Sequence, residues 1–150
     1  MRIYTVYMEA SVTAAKTLIE VMNSGNSVLK VMAVGVTNDG SETSDEVSVE
    51  LKRVTGTGTG TAATAVKADA GEAAFGGANK VNLTVEPTYA SEDPFWAEGF
   101  NLLAGATHAW SIYEAPTIRA GTGNGVGLKL DTAPAGATTI RAWIRICEIG

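Results

Sequence analysis

Enzymes and metal centres draw on a short set of side chains, and this chain holds few of them in workable combinations. His108 is its only histidine and Cys147 its only cysteine, so no His/Cys zinc site forms within one chain. A Cys147–His108 nucleophile would need an activated thiolate, and Cys147 sits in a strand-like C-terminal stretch with no activating motif. No Gly-x-Ser-x-Gly elbow offers a serine nucleophile. Gly56-Thr57-Gly58-Thr59-Gly60 and Gly121-Thr122-Gly123-Asn124-Gly125 look superficially like phosphate-binding loops. Such loops open a helix whose N-terminal N–H groups meet the phosphate, and neither segment precedes a helical pattern. Both are expected to be plain loops. Asp39, Glu42, Asp45 and Glu46 could offer carboxylate oxygens to calcium, but their spacing is not that of an EF-hand. A solvated loop that discourages edge-to-edge aggregation is the expectation there. Glu92, Asp93 and Glu98 surround Trp96 as a glycosidase pair would surround a sugar-stacking ring, but sequence sets no distance between them. No catalytic residue, cofactor-binding residue or metal ligand is assigned, and a non-enzyme is expected.

The elements that would position any site are strands. Val47, Val49 and Leu51 alternate with Ser48, Glu50 and Lys52, giving one apolar and one charged face. Val28 to Val36 is apolar on nearly both sides, which suits a central strand. Asn38-Asp39-Gly40-Ser41 between them supplies turn residues, so Ser27 to Val54 is read as a long hairpin. Before it, Arg2 to Ala10 alternates weakly, and residues 1–12 are expected to form an N-terminal arm or an edge strand. Ala14 to Met22 is read as a strand because Thr17, Ile19 and Val21 recur at every second position. After it, Thr55 to Ala78 is expected to be a surface loop with a short strand at Ala65-Val66-Lys67. Further strands are predicted at Val81–Glu86, at Phe95–Leu103 with a bulge at Gly99, at His108–Tyr113 and at Val126–Asp131.

The last strand carries the clearest pattern. Ile140, Ala142, Ile144 and Ile146 share one face, and Arg141, Trp143, Arg145 and Cys147 share the other. Interfaces are enriched in Trp and Arg, so Arg141, Trp143 and Arg145 are the candidate interface residues of a homo-oligomer. Eight or nine antiparallel strands without a long amphipathic helix predict an all-β, single-domain β-sandwich over residues 1–150, wound as a jelly roll.

Composition narrows the function classes. The formal net charge is −5 and the basic residues are scattered, which argues against a nucleic-acid partner. No apolar run approaches the ~20 residues that span a bilayer. The segment from Met1 to Tyr7 lacks a secretory apolar region and cleavage site, and one cysteine gives no intrachain disulfide. Charged residues are only 18% of the chain, and the 17 glycines point to turns and extended loops.

A wider pattern runs through residues 13 to 150. Thr13-Ala14-Ala15-Lys16-Thr17-Leu18-Ile19-Glu20-Val21 leads into Leu29-Lys30-Val31, with Gly35-Val36 ending that strand. Val49-Glu50-Leu51-Lys52-Arg53, Gly58-Thr59-Gly60-Thr61-Ala62 and Ala65-Val66-Lys67 follow. Thr84-Val85-Glu86-Pro87-Thr88 precedes an aromatic strand, and the chain closes on Cys147-Glu148-Ile149-Gly150. In this the chain resembles the head-decoration, or cement, proteins of tailed bacteriophages, small jelly-roll virion proteins. The resemblance implies a non-enzymatic role on the capsid surface of the virion, bound to the major capsid protein and resisting internal pressure. It also implies a homo-oligomer, with a trimer favoured. The alternative is a lectin-like, carbohydrate-binding jelly roll that uses Trp96, Trp110 or Tyr113 as its platform.

Overall fold

The computed structural model describes residues 1–39 and 44–150. Among these are thirteen strands and no helix. They are β1 (Arg2–Val12), β2 (Lys16–Met22), β3 (Val28–Asn38), β4 (Glu46–Gly56), β5 (Thr59–Ala62), β6 (Val66–Lys67) and β7 (Ala78–Val85). After them come β8 (Thr88–Tyr89), β9 (Trp96–Asn101), β10 (Ala106–Ala109), β11 (Thr117–Ile118), β12 (Gly125–Leu130) and β13 (Thr138–Ile149). Eight of the thirteen have six or more residues, and the short remainder accounts for the excess over the predicted count.

The strands form two antiparallel sheets packed face to face. A six-stranded sheet runs β10-β3-β13-β1-β6, with β11 also on β3. A seven-stranded sheet runs β5-β7-β2-β12-β4-β8, with β9 also on β4. Period-two alternation turns one side of each sheet inward. Val6, Val34, Val36, Ile140, Ala142, Ile144 and Ile146 line the core from the first sheet, and Ile19, Val21, Val49, Leu51, Val126 and Leu128 from the second, all fully buried. The four inward positions predicted on the last strand are thus correct.

The hairpin predicted over Ser27 to Val54 is not formed. β3 pairs with β13, β10 and β11, whereas β4 pairs with β12, β8 and β9 in the opposite sheet. Each arm has an apolar face, and apolar faces can meet across a core as readily as along a shared edge. The connection after Asn38 is long enough to cross the ~10 Å between packed sheets, which a two-residue turn is not. Gly40, Ser41 and Glu42 lie outside the described residues. The expectation that the first arm is central does hold, since β3 has bonded neighbours on both sides.

Residues 2–12 are a full strand, paired with β13 from Arg2↔Glu148 to Val12↔Thr138. On its other side β1 meets only the two-residue β6, so it lies at the margin of its sheet. β9 runs through Gly99 without a register shift, so no bulge occurs there. The strand predicted at His108–Tyr113 begins earlier and is shorter, because residues 111–114 turn back with Glu114 and Ala115 donating to Ser111 O.

The Gly/Thr segment is also more ordered than a surface loop. β5 pairs with β7, and Gly58 and Gly60 lie directly on that strand. A Cβ on Gly58 would stand 2.4 Å from Val85 O, and one on Gly60 would stand 2.9 Å from Val81 O. Glycine is therefore required for this strap to lie flat on its neighbour.

Candidate functional site

The outward residues of β13 lie in rows fixed by the ladder. Trp143 stands between Tyr7 of β1 and Gly35 of β3, Arg141 between Glu9 and Thr37, and Arg145 between Thr5 and Ala33. Tyr7, Arg141, Arg145, Thr107 and Ala109 are exposed, so no layer of the described residues covers this face. Trp143 is nonetheless half-buried. The reason lies in Gly35, where a Cβ would sit 2.4 Å from the indole Nε1, so the ring rests on bare backbone. The glycine makes a flat seat for the tryptophan.

Electrostatics on this face are uneven. Arg141 donates from Nε to Glu9 at 2.9 Å and from Nη2 to Asp39 at 2.8 Å, and Tyr7 Oη donates to the same Glu9 oxygen at 3.0 Å. The hydrogen bonds from Arg141 and then Tyr7 hold the Glu9 carboxyl below the usual carboxylate range. Arg145 has no ion-pair partner among the described residues. The three predicted interface residues therefore do share one open surface, with one guanidinium committed and one uncommitted. Cys147, predicted in the same row, is buried between Ile3 and Lys30, and burial pushes its thiol pKa up.

A second cluster forms where the two sheets meet at their β9 and β10 margins. The ring centroids of Trp96 and His108 lie 5.8 Å apart in a stacked arrangement, and those of His108 and Trp110 lie 4.5 Å apart edge to face. Both tryptophans are half-buried against the core, and the Trp110 amide is anchored on Met32 O. Tyr113 is 92% exposed and is not part of the stack.

No protein-family model, curated protein or solved structure matches the chain.

The other candidate residues are kept apart. Cys147 pairs with Lys30 on one side of β3, and His108 pairs with Val34 on the other. That places them roughly 13 Å apart along the strand and about 10 Å across it, too far for proton transfer. The acidic residues bind separately: Asp39 holds Arg141, Asp45 accepts from Ala135 N at 2.6 Å, and Glu46 accepts from Asn101 at 3.0 Å. No group of three metal-ligating side chains converges among the described residues. Glu92 pairs with Arg53 at 3.2 Å rather than with another carboxylate. Gly121 and Gly123 take positive φ in the turn before β12, as plain turn residues.

Sequence reasoning missed a polar network on the outer face of the seven-stranded sheet. Glu20 is fully buried there, accepting from Thr57 Oγ1 at 2.6 Å and from Gly58 N at 2.7 Å. Lys80 donates to Thr57 Oγ1 and Gly58 O, completing the clasp on the Gly/Thr strap. Nearby, Glu86 accepts from both the amide and the hydroxyl of Thr17, whose oxygen also meets Tyr89 Oη at 2.6 Å. Burial pushes the Tyr89 phenol pKa well up. The available signal was a lone glutamate inside an apolar strand. Glu20→Ala should strand the Gly58 amide and lower the unfolding free energy by about 1–3 kcal/mol, with Glu20→Gln costing less. Urea midpoints of the three proteins test this, and equal midpoints would show that Glu20 does not hold the strap.

Proposed function

We propose that this is a non-enzymatic structural protein of the tailed-phage virion, a head-decoration protein bound to the major capsid lattice. The observation that carries the reading is the uncovered face around Trp143, an aromatic ring seated on Gly35 beside the uncommitted Arg145. Aromatic rings bury much area at little entropic cost, and an arginine fork offers donors to partner carboxylates or carbonyls. The strand order supports a jelly-roll winding, because β1, β2, β3 and β4 alternate between the sheets, as do β9, β10, β12 and β13. The dispersal of the titratable side chains fits a binding role better than a catalytic one.

The test uses phage shells stripped of decoration protein. Purified protein should bind them saturably, at a fixed ratio to the major capsid protein, and raise their resistance to heat. Shells that ignore the protein would end this reading. A second reading, carbohydrate binding, is favoured by the Trp96–His108–Trp110 stack at the margin of the sandwich. A defined preference on a glycan array, lost in Trp96→Ala, would establish it in place of the first.

A further inference from the structure

β1 closes the six-stranded sheet on one side, and half of that edge has no partner. β13 bonds the strand along its whole length, but β6 meets it only at Tyr4 and Thr5, with Ala68 N donating to Ile3 O at 2.9 Å. In an antiparallel ladder, successive residues turn their N–H and C=O groups to opposite sides. The Ile3 bond fixes the parity, so odd-numbered residues of β1 face away from β13. The backbone groups of Tyr7, Glu9 and Ser11 meet no partner among the described residues. They recur about every 6.8 Å, a repeat that an extended polypeptide matches and a sugar or lipid headgroup does not.

We propose that this edge pairs with the same edge of a second copy, antiparallel about a two-fold axis at Ala10. The register follows from the residues. An axis at Glu9 would set the two Glu9 carboxylates directly opposite each other, which is unfavourable. An axis at Met8 would lay the partner's Ser11 over Thr5, a place that β6 occupies. The axis at Ala10 faces Glu9 with the partner's Ser11, acceptor against hydroxyl, and brings two small side chains together at the centre. Two pairs, Glu9 with Ser11 and its symmetry mate, then exchange about four backbone hydrogen bonds.

A knob and a hole accompany this register. Tyr7, 47% exposed, falls opposite the partner's Thr13. Thr13 borders a cleft of about 350 Å³ lined also by Ser11, Ala14, Leu83 and Glu86. The cleft lies where β7 leaves β2 after Val81, at Asn82, whose φ of 49° marks a bulge as the strand continues along β5 to Val85. Lys16 Nζ donates to Asn82 Oδ1 at 2.6 Å, and Glu86 takes the Thr17 amide, so the opening is held. A two-fold pair seats each Tyr7 beside the other copy's cleft, the self-complementarity that an isologous contact requires. The result is a dimer, distinct from the three-fold assembly that the resemblance implies, and it does not depend on the capsid reading.

Sedimentation of the full chain up to about 200 µM should reveal the dimer. Ser11 is exposed, so substitutions there leave the fold intact. Ser11→Asp faces Glu9 with a second carboxylate and should weaken the dimer on the order of tenfold, while Ser11→Lys should tighten it several-fold. Hydrogen exchange gives an independent readout in the wild type, with the Glu9 and Ser11 amides becoming protected as concentration rises. A monomer at every concentration, a trimer, Ser11 variants that do not shift in opposite directions, or fast exchange of both amides in the associated form would overturn the proposal.

Discussion

Ile144→Asp should abolish folding, leaving a chain without the β-dominated circular dichroism of the wild type. Ile144 is fully buried, with Val6 beside it on β1 and Val34 beside it on β3. Both neighbours are fully buried and apolar, so an aspartate there meets no donor and no water. Burying an unpaired carboxylate costs far more than the group can recover, so the chain would sooner unfold than hold it. Ile144→Ala gives the milder measurement. Loss of the side chain and the cavity left behind should lower stability by ~2–5 kcal/mol. Set against the ~5–15 kcal/mol of an ordinary domain, that shifts the unfolding midpoint strongly without erasing the fold. Arg145→Ser, one position on, should leave the midpoint nearly unchanged, because that side chain is exposed and has no ion-pair partner among the described residues. Similar effects at 144 and 145 would refute the assignment of opposite faces to neighbouring residues.

That contrast also shows what alternation can and cannot reveal. On β13 and β4 the period-two pattern names the inward residues correctly, because each strand has one buried and one open side. It says nothing about which strand lies next to which. β3 and β4 carry equally good patterns, yet they face each other across the core, since burying an apolar face is satisfied by either arrangement. The N-terminal strand was legible only as a weak alternation, although its full pairing with β13 makes it one of the longest ladders in the protein. Its outward Thr5, Tyr7 and Glu9 are polar or aromatic residues of mixed exposure, which blurs the pattern.

The candidate site was legible in part for the same reason. Parity placed Arg141, Trp143 and Arg145 in one row, but the seat under Trp143 comes from Gly35, more than one hundred residues earlier. The meeting of Trp96, His108 and Trp110 likewise depends on two sheet margins coming together, which no local signal encodes. Burial of Cys147 against Ile3 and Lys30 was invisible too, since alternation alone sends it outward. The Glu20 clasp required knowing that a Gly/Thr strap folds back over the strand.

Trp143→Ala is the sharpest probe of the proposed contact surface. The ring lies on the backbone of Gly35, with Tyr7 as its neighbour on β1, on a face whose other side chains at Tyr7, Arg141 and Arg145 are exposed among the described residues. Its removal exposes backbone on an already open face, so the β spectrum should persist and the unfolding midpoint should move little. A buried Trp at the centre of an interface is typically worth ~2 kcal/mol or more, so shell binding should weaken by about thirtyfold or greater. Gly35→Ala approaches the same surface from below. A methyl at that position would overlap the indole, so the ring must lift or swing away. If the flat seat matters for binding, this variant should lose affinity even though Trp143 is still present. Titration of stripped shells with both variants, alongside their urea midpoints, separates the outcomes. Parallel losses of affinity with intact midpoints assign the face to the capsid contact. Unchanged affinity with lowered midpoints would instead make Trp143 a cap that shields the strand backbone, and would remove it from the interface.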